Sequence, residues 1–236
     1  MISAGGEPEP DVVPGRPTPV PGRRLVPGAR YGLLLLLLVA TYLLSAFTTG
    51  SAVNAVQIVV FVATLLLALR NSLVARWVAR LLVTVVLIGS AVAFGLVLAQ
   101  PSSGAVGAAQ IWTGLVLLAT VVAIVRRILA SSSVTLQSIY GALSAYMIIG
   151  LMFAAFYGAM DHLSAGAFFA NGQPGDARTF QYFSFTTLTT LGYGDFTAAS
   201  NAGRAVAVME AMAGQIFLAT LVARLVSAFR PSEPRR

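Results

Sequence analysis

The apolar residues of this chain gather into long runs, with polar residues in short linkers between them. Six runs are long enough, or nearly so, to cross a hydrocarbon core as helices, which takes about 20 residues at ~1.5 Å of rise each. They fall at Tyr31 to Thr48, Val53 to Leu69, Leu81 to Ala99, Ala108 to Val125, Val134 to Met160 and Arg204 to Phe229, the second being the shortest. A further apolar stretch, Arg178 to Thr189, is too short to span and predicts a short helix. It lies within Asp161 to Gly203, which joins the fifth and sixth runs and is too long for a simple hairpin turn. Function is to be sought there. Ahead of the first run, Met1 to Gly28 is rich in Pro and Gly, lacks apolar periodicity and reads as a disordered tail. It does not read as a signal peptide, because the first apolar run starts only after Arg30 and no small-residue cleavage site closes it.

Composition agrees with the runs. The chain is 57% hydrophobic and 10% charged, whereas soluble domains carry about 25% charged residues. Too little polar surface is available to cover a soluble core, so lipid is expected around the outside. All fifteen basic residues are arginine, against eight acidic ones. They sit singly or in pairs at the ends of apolar runs, as membrane-flanking charges do, and form no stripe interleaved with aromatics, so nucleic acid is not expected as a partner. Cytoplasmic loops should carry the excess of arginine. The tail, the second and fourth linkers and the C-terminal end hold thirteen of the fifteen, among them Arg30, Arg70, Arg80, Arg126, Arg127 and Arg224. The linkers Thr49 to Ala52 and Gln100 to Gly107 hold none. A multi-pass protein of the cell membrane with both termini cytoplasmic follows as the expectation. With no cysteine and the single histidine, His162, in an outer loop as a solvated residue, neither a disulfide nor a zinc site is expected.

The short helix runs directly into Thr190-Leu191-Gly192-Tyr193-Gly194-Asp195. This hexapeptide resembles the selectivity-filter signature of potassium channels, whose usual form is T-V-G-Y-G. A bare cation in a medium of low dielectric costs tens of kcal/mol, so a pore must replace its water with other oxygens. Backbone carbonyls can do so if successive ones point to a common axis, which needs residues able to take positive φ, here Gly192 and Gly194. The resemblance implies that the carbonyls of Thr190, Leu191, Gly192 and Tyr193, with the Thr190 hydroxyl, bind K⁺ in a ladder. Ions on alternate rungs would sit roughly 6.6 Å apart at about 3.3 Å per residue. At an effective dielectric of about 20 they would repel by roughly 2.5 kcal/mol, enough to offset tight binding and let ions leave. Asp195 would stand at the outer mouth, and the C-terminal dipole of the short helix would favour a cation below the ladder.

One chain supplies one oxygen per rung, so a closed ring implies a fourfold symmetric homotetramer. The side chains of Leu191 and Tyr193 are expected to face away from the axis and brace the ladder against the short helix, with Tyr182, Phe183 and Phe185 as packing partners. Glu210, about one and a half turns into the sixth run, is an ionisable residue at membrane depth. It is expected to hydrogen-bond the short helix behind the filter through Thr186 or Thr187, or to be protonated, with snorkelling to the outer interface as the plainer alternative. Gly214 stands where related channels often have a gating hinge, though a glycine in a membrane helix can equally serve close packing. Ser132 and Ser133 look like caps of the fifth helix. Around the filter, Gln137 to Phe229 is similar to single-pore prokaryotic potassium channels. It departs from them at Leu191, where Val is commoner, and at Thr186, where some members carry a glutamate. No proline follows Phe196 and Thr197.

The expected architecture is an all-α membrane protein of six transmembrane helices with a re-entrant pore helix and filter. Residues 1–28 form a tail, 29–130 a peripheral four-helix region, 131–230 the pore domain and 231–236 a second tail. The fourth run has no arginine every third residue, so strong voltage sensing is not expected. The few residues after the sixth run suggest no cytoplasmic ligand-binding domain. The expected function is passive K⁺ conduction with no covalent chemistry and no cofactor, so not an enzyme. Its alternative is a non-selective monovalent cation channel of the same fold. A secondary transporter lacks the expected inverted repeat with paired broken helices. An intramembrane protease lacks the Gly-x-Ser-x-Gly elbow.

Overall fold

The computed structural model describes residues 31–47, 76–99, 102–131 and 134–228. The tails, the second apolar run at Val53 to Leu69, and the expected caps Ser132 and Ser133 lie outside the described residues. Among the described residues, regular structure is helical apart from one isolated bridge. The long helices are α1 (Tyr31–Phe47), α2 (Arg76–Ala99), α3 (Ser103–Ala130), α4 (Leu136–Leu163) and α6 (Asn201–Ala228). The short α5 (Ala177–Leu188) stands between α4 and α6, after a 3-10 turn at Ala170–Gly172.

Five of the six expected runs are thus helices, and the short one is α5. By length and composition, α3, α4 and α6 can each cross a membrane, while α1 and α2 offer the shorter apolar stretches Tyr31–Leu43 and Val83–Ala99. Some helices outrun the apolar patches that announced them. The fourth run ends at Val125, but α3 continues through Arg126 and Arg127 to Ala130, because arginine is a good helix former and its charge marks a polarity boundary, not a helix end. α3 starts on Ser102, whose side chain accepts from the Ala105 N–H. α4 starts on Thr135, in a reciprocal box with Ser138.

The most buried helix is α4, which packs against α3, α1, α5 and α6. Leu34 and Leu38 of α1, Leu117 and Ile124 of α3 and Ile148 of α4 are almost fully enclosed. Lipid tails are as apolar as leucine, so this core is held by close packing more than by the hydrophobic effect. The α3–α4 contact is accordingly tight, with Gly107 and Gly114 of α3 lying under Leu163 and Phe156 of α4. α2 instead turns Ile88, Val92, Phe94 and Leu98 outward, as lipid-facing residues do.

The entry to α5 is specified locally. Asp176 caps it, accepting from the Thr179 N–H at 2.7 Å, while the Asp176 N–H donates to the Thr179 hydroxyl at 2.7 Å. Partial burial alone raises the Asp176 carboxyl, but the bonds from the Thr179 backbone and hydroxyl and the nearby Arg178 charge outweigh it and hold the group below its ordinary value. Its contribution to stability is therefore present above the ordinary carboxylate range and is lost as pH falls through the depressed value. Removing this cap in Asp176→Ala is expected to cost about 1 kcal/mol. Thermal melting at neutral and acidic pH checks this: the variant should melt below wild type at neutral pH, with the gap closing on acidification.

Candidate functional site

The segment between α4 and α6 is built on an aromatic cluster. Tyr157, Phe168, Phe169, Phe180 and Phe183 pack together, with ring centroids 5.0 to 5.8 Å apart. Offset and edge-on pairs of this kind are worth roughly 0.5–1.5 kcal/mol each beyond the area they bury. Phe169 bridges Ala198, the Ala170 N–H donates to the Thr197 carbonyl at 2.8 Å, and the Ala199 N–H donates to the Phe168 carbonyl at 2.9 Å. The chain before α5 thereby clamps the chain after Asp195. Asp161, at the end of α4, accepts from the Phe168 N–H at 2.8 Å and fixes the start of that clamp.

Between α5 and the clamp runs Thr190 to Gly194, exposed throughout. Gly192 and Gly194 take φ of 50° and 79°, in the left-handed region that glycine enters without penalty. Thr190 also lies there, at φ 58°. A β-branched residue in this region carries strain on the order of 1–3 kcal/mol, a cost found where a site requires a set backbone path. The segment hangs from the last turn of α5. The Leu191 and Gly192 N–H groups both donate to the Thr186 carbonyl, at 2.8 and 3.1 Å, and the Thr190 N–H donates to the Thr187 carbonyl at 2.9 Å.

Asp195 is held from two sides. The Tyr182 hydroxyl donates to its carboxylate at 2.8 Å, and Gln173 donates to its backbone carbonyl at 3.0 Å. Phe196 lies edge-on against both Phe169 and Tyr182.

On the other flank of α5, Glu210 of α6 is fully buried. Its Oε2 accepts from the Tyr157 hydroxyl at 2.5 Å, and its Oε1 lies 2.5 Å from Ser184 Oγ, which also reaches the Gly150 carbonyl at 2.6 Å. One turn along both helices, Gly214 meets Leu188 so closely that a Cβ would stand 2.5 Å from the Leu188 carbonyl oxygen. The Tyr146 hydroxyl donates to that same carbonyl at 3.1 Å.

Several expectations find a different geometry here. Glu210 does reach α5, but through Ser184 and not Thr186 or Thr187. The Thr186 hydroxyl turns back to the Phe183 carbonyl, so Thr186 and Thr187 serve the segment with their backbone oxygens. Phe183 belongs to the aromatic cluster, and Phe185 packs edge-on against Tyr42 and beside Gly150. Leu191 and Tyr193 are 54% and 69% exposed. Tyr182 meets the site through Asp195. His162, expected in the loop, stands in the last turn of α4, where its carbonyl accepts from the Ser103 hydroxyl. Sequence reasoning missed Tyr157, Ser184, Gln173 and the Phe168-Phe169 pair. A buried carboxyl needs donors, so hydroxyls on α4 and α5 at the depth of Glu210 were the signal available for the first two.

Residues 143–230 match an ion-channel family model. The match takes in most of α4, all of α5, the Thr190–Gly194 segment and α6, and so contains the site described above. No curated protein and no solved structure matches the chain. An ion-channel region, in which α4 and α6 are each long and apolar enough to span, points to a membrane protein that passes ions. Among the described residues no cluster of three or more His, Cys, Asp and Glu could hold a metal ion.

Proposed function

We propose that the chain is one subunit of a homotetrameric, potassium-selective channel of the plasma membrane. In it α4 is the outer helix, α5 the re-entrant pore helix, Thr190 to Gly194 the filter and α6 the inner helix. The observation that carries this reading is the Thr190–Gly194 segment itself. It is exposed, takes positive φ at Thr190, Gly192 and Gly194, and is hung by its N–H groups from the end of α5. Its N–H groups being turned to α5 at Leu191 and Gly192, the oxygens of the ladder are left for ions. Four copies around an axis would complete each rung, with Asp195 ringing the mouth.

The unpartnered surfaces suit such a ring. Val208, Met209, Met212, Ile216, Val222 and Val226 of α6 are each more than half exposed, on a helix that would line and pack around the axis. Beside the filter lies a cavity of about 310 Å³ lined by Phe183, Thr186, Thr187, Gly192, Phe196 and Ala207, among others. Leu191 and Tyr193, each more than half exposed in one chain, are the apolar groups a neighbouring copy could offer to it.

The test is the reversal potential of the purified protein in a planar bilayer, with K⁺ on one side and Na⁺ on the other. A potential strongly favouring K⁺ is expected. Real current reversing near zero would replace this reading by the non-selective monovalent cation channel of the same fold.

A further inference from the structure

Ser184 has one hydroxyl proton and two oxygen neighbours, the Gly150 carbonyl at 2.6 Å and Glu210 Oε1 at 2.5 Å. A carbonyl only accepts, and an ionised carboxylate also only accepts. With Glu210 ionised, the single Ser184 proton could satisfy one neighbour and would leave two acceptor oxygens pressed together at the other. The Tyr157 proton does not help, being spent on Oε2. One more proton balances the set. Placed on Oε1, it is donated to Ser184 Oγ, Ser184 donates to Gly150, Tyr157 donates to Oε2, and every contact has its hydrogen.

The surroundings ask for the same proton. Glu210, Ser184 and Tyr157 are each fully enclosed, and isolated charge at such a place is strongly disfavoured unless a cation pairs with it. None of the described elements packed around Glu210 brings one. α4 contributes the Tyr157 hydroxyl and, further along, Tyr146, whose hydroxyl is engaged with Leu188. α5 contributes Ser184. On α6 itself, Arg204 sends its Nε to the Ala198 carbonyl at 3.0 Å.

We propose that Glu210 works as a neutral carboxylic acid, a positioning residue whose proton completes a hydrogen-bonded chain from Tyr157 through Ser184 to the Gly150 carbonyl. The chain ties the inner helix to the outer helix and to the pore helix one turn before its end. Thr186, two residues beyond Ser184, carries the filter by its carbonyl. The inner helix and the filter are therefore joined through a few rigid residues of α5, and displacement of one is felt by the other. The link to conduction rests on the channel reading, whereas the protonation state does not.

Infrared difference spectroscopy of the full-length protein in lipid vesicles at neutral pH, wild type against E210Q, tests the proton. A carboxylic-acid C=O stretch present in wild type and lost in E210Q is expected, and a carboxylate band lost in its place would overturn the proposal. Glutamine reproduces the neutral acid, with its amide N–H₂ facing Ser184 and its oxygen facing Tyr157. E210Q should therefore restore the melting temperature and K⁺ current that Glu210→Ala loses. The alanine variant leaves the buried Tyr157 hydroxyl without its acceptor and takes away the donor to Ser184, and its current should fall on the order of tenfold or more. E210Q as damaging as alanine, or alanine as good as wild type, would sink the positioning role. The infrared band and the melting temperature are read whether or not the protein passes current, so failure of the potassium reading and failure of this inference are distinguishable.

Discussion

Gly192→Ala is expected to leave the chain folded and assembled while abolishing potassium-selective current. Within one chain a Cβ at Gly192 meets nothing within 4 Å, so sterics with neighbours do not forbid the change. The conflict is with the backbone, which holds φ at 50° there. An L-residue in that region costs about 1–2 kcal/mol, or roughly 4–8 kcal/mol for a ring of four copies. Rotating the peptide to negative φ relieves the strain and breaks the set of carbonyls that a K⁺ ladder requires. Folding energetics change little, because the segment is exposed and the Leu191 and Gly192 N–H groups that hang it from the Thr186 carbonyl both precede the rotated bond. Reversal potential under opposed K⁺ and Na⁺, with melting temperature as the control, separates these effects. A variant that still reverses at the potassium potential would remove Gly192 from any filter.

How far the sequence could be read depended on the kind of interaction involved. The helices were legible because a membrane demands long apolar runs, and five of six were located to within a few residues over their described parts. The Gly192 and Gly194 backbone was legible because few residues accept positive φ, and the spacing of the two glycines announced it. Thr190 was not, since nothing in its side chain signals the left-handed region; its φ is imposed by the turn leaving α5. The partner of Glu210 was misplaced for a related reason. Thr186 and Thr187 are closer to the filter in sequence, but helix geometry turns Ser184 and Leu188, four apart, toward Glu210 and Gly214, also four apart. Knowing that α5 crosses α6 along those two pairs takes the three-dimensional packing. Leu191 and Tyr193 stand more than half exposed in one chain, Phe183 being taken up by the aromatic cluster and Phe185 by Tyr42. The Phe168-Phe169 part of that cluster lies in a stretch where the sequence showed no motif.

Gly214→Ala decides between two readings of the inner helix, because they predict opposite signs. A glycine kept only as a hinge sits in a helix that alanine favours by about 1 kcal/mol, so the variant would be more stable and altered in gating alone. A glycine kept for contact cannot accept the methyl. Here the added Cβ would lie 2.5 Å from the Leu188 carbonyl oxygen and 2.9 Å from its Cδ1. The side-chain carbon can rotate away, but the carbonyl cannot, being part of the last turn of α5 and engaged by the Tyr146 hydroxyl. Separating α6 from α5 to make room should cost about 1–3 kcal/mol per subunit, as overpacking does. It would also strain the Glu210–Ser184 contact one turn away and shift Thr189 and Thr190, the residues that enter the filter. The expected result is a lower melting temperature of the assembled protein together with loss of current. A variant that melts higher than wild type and still conducts would return Gly214 to the hinge.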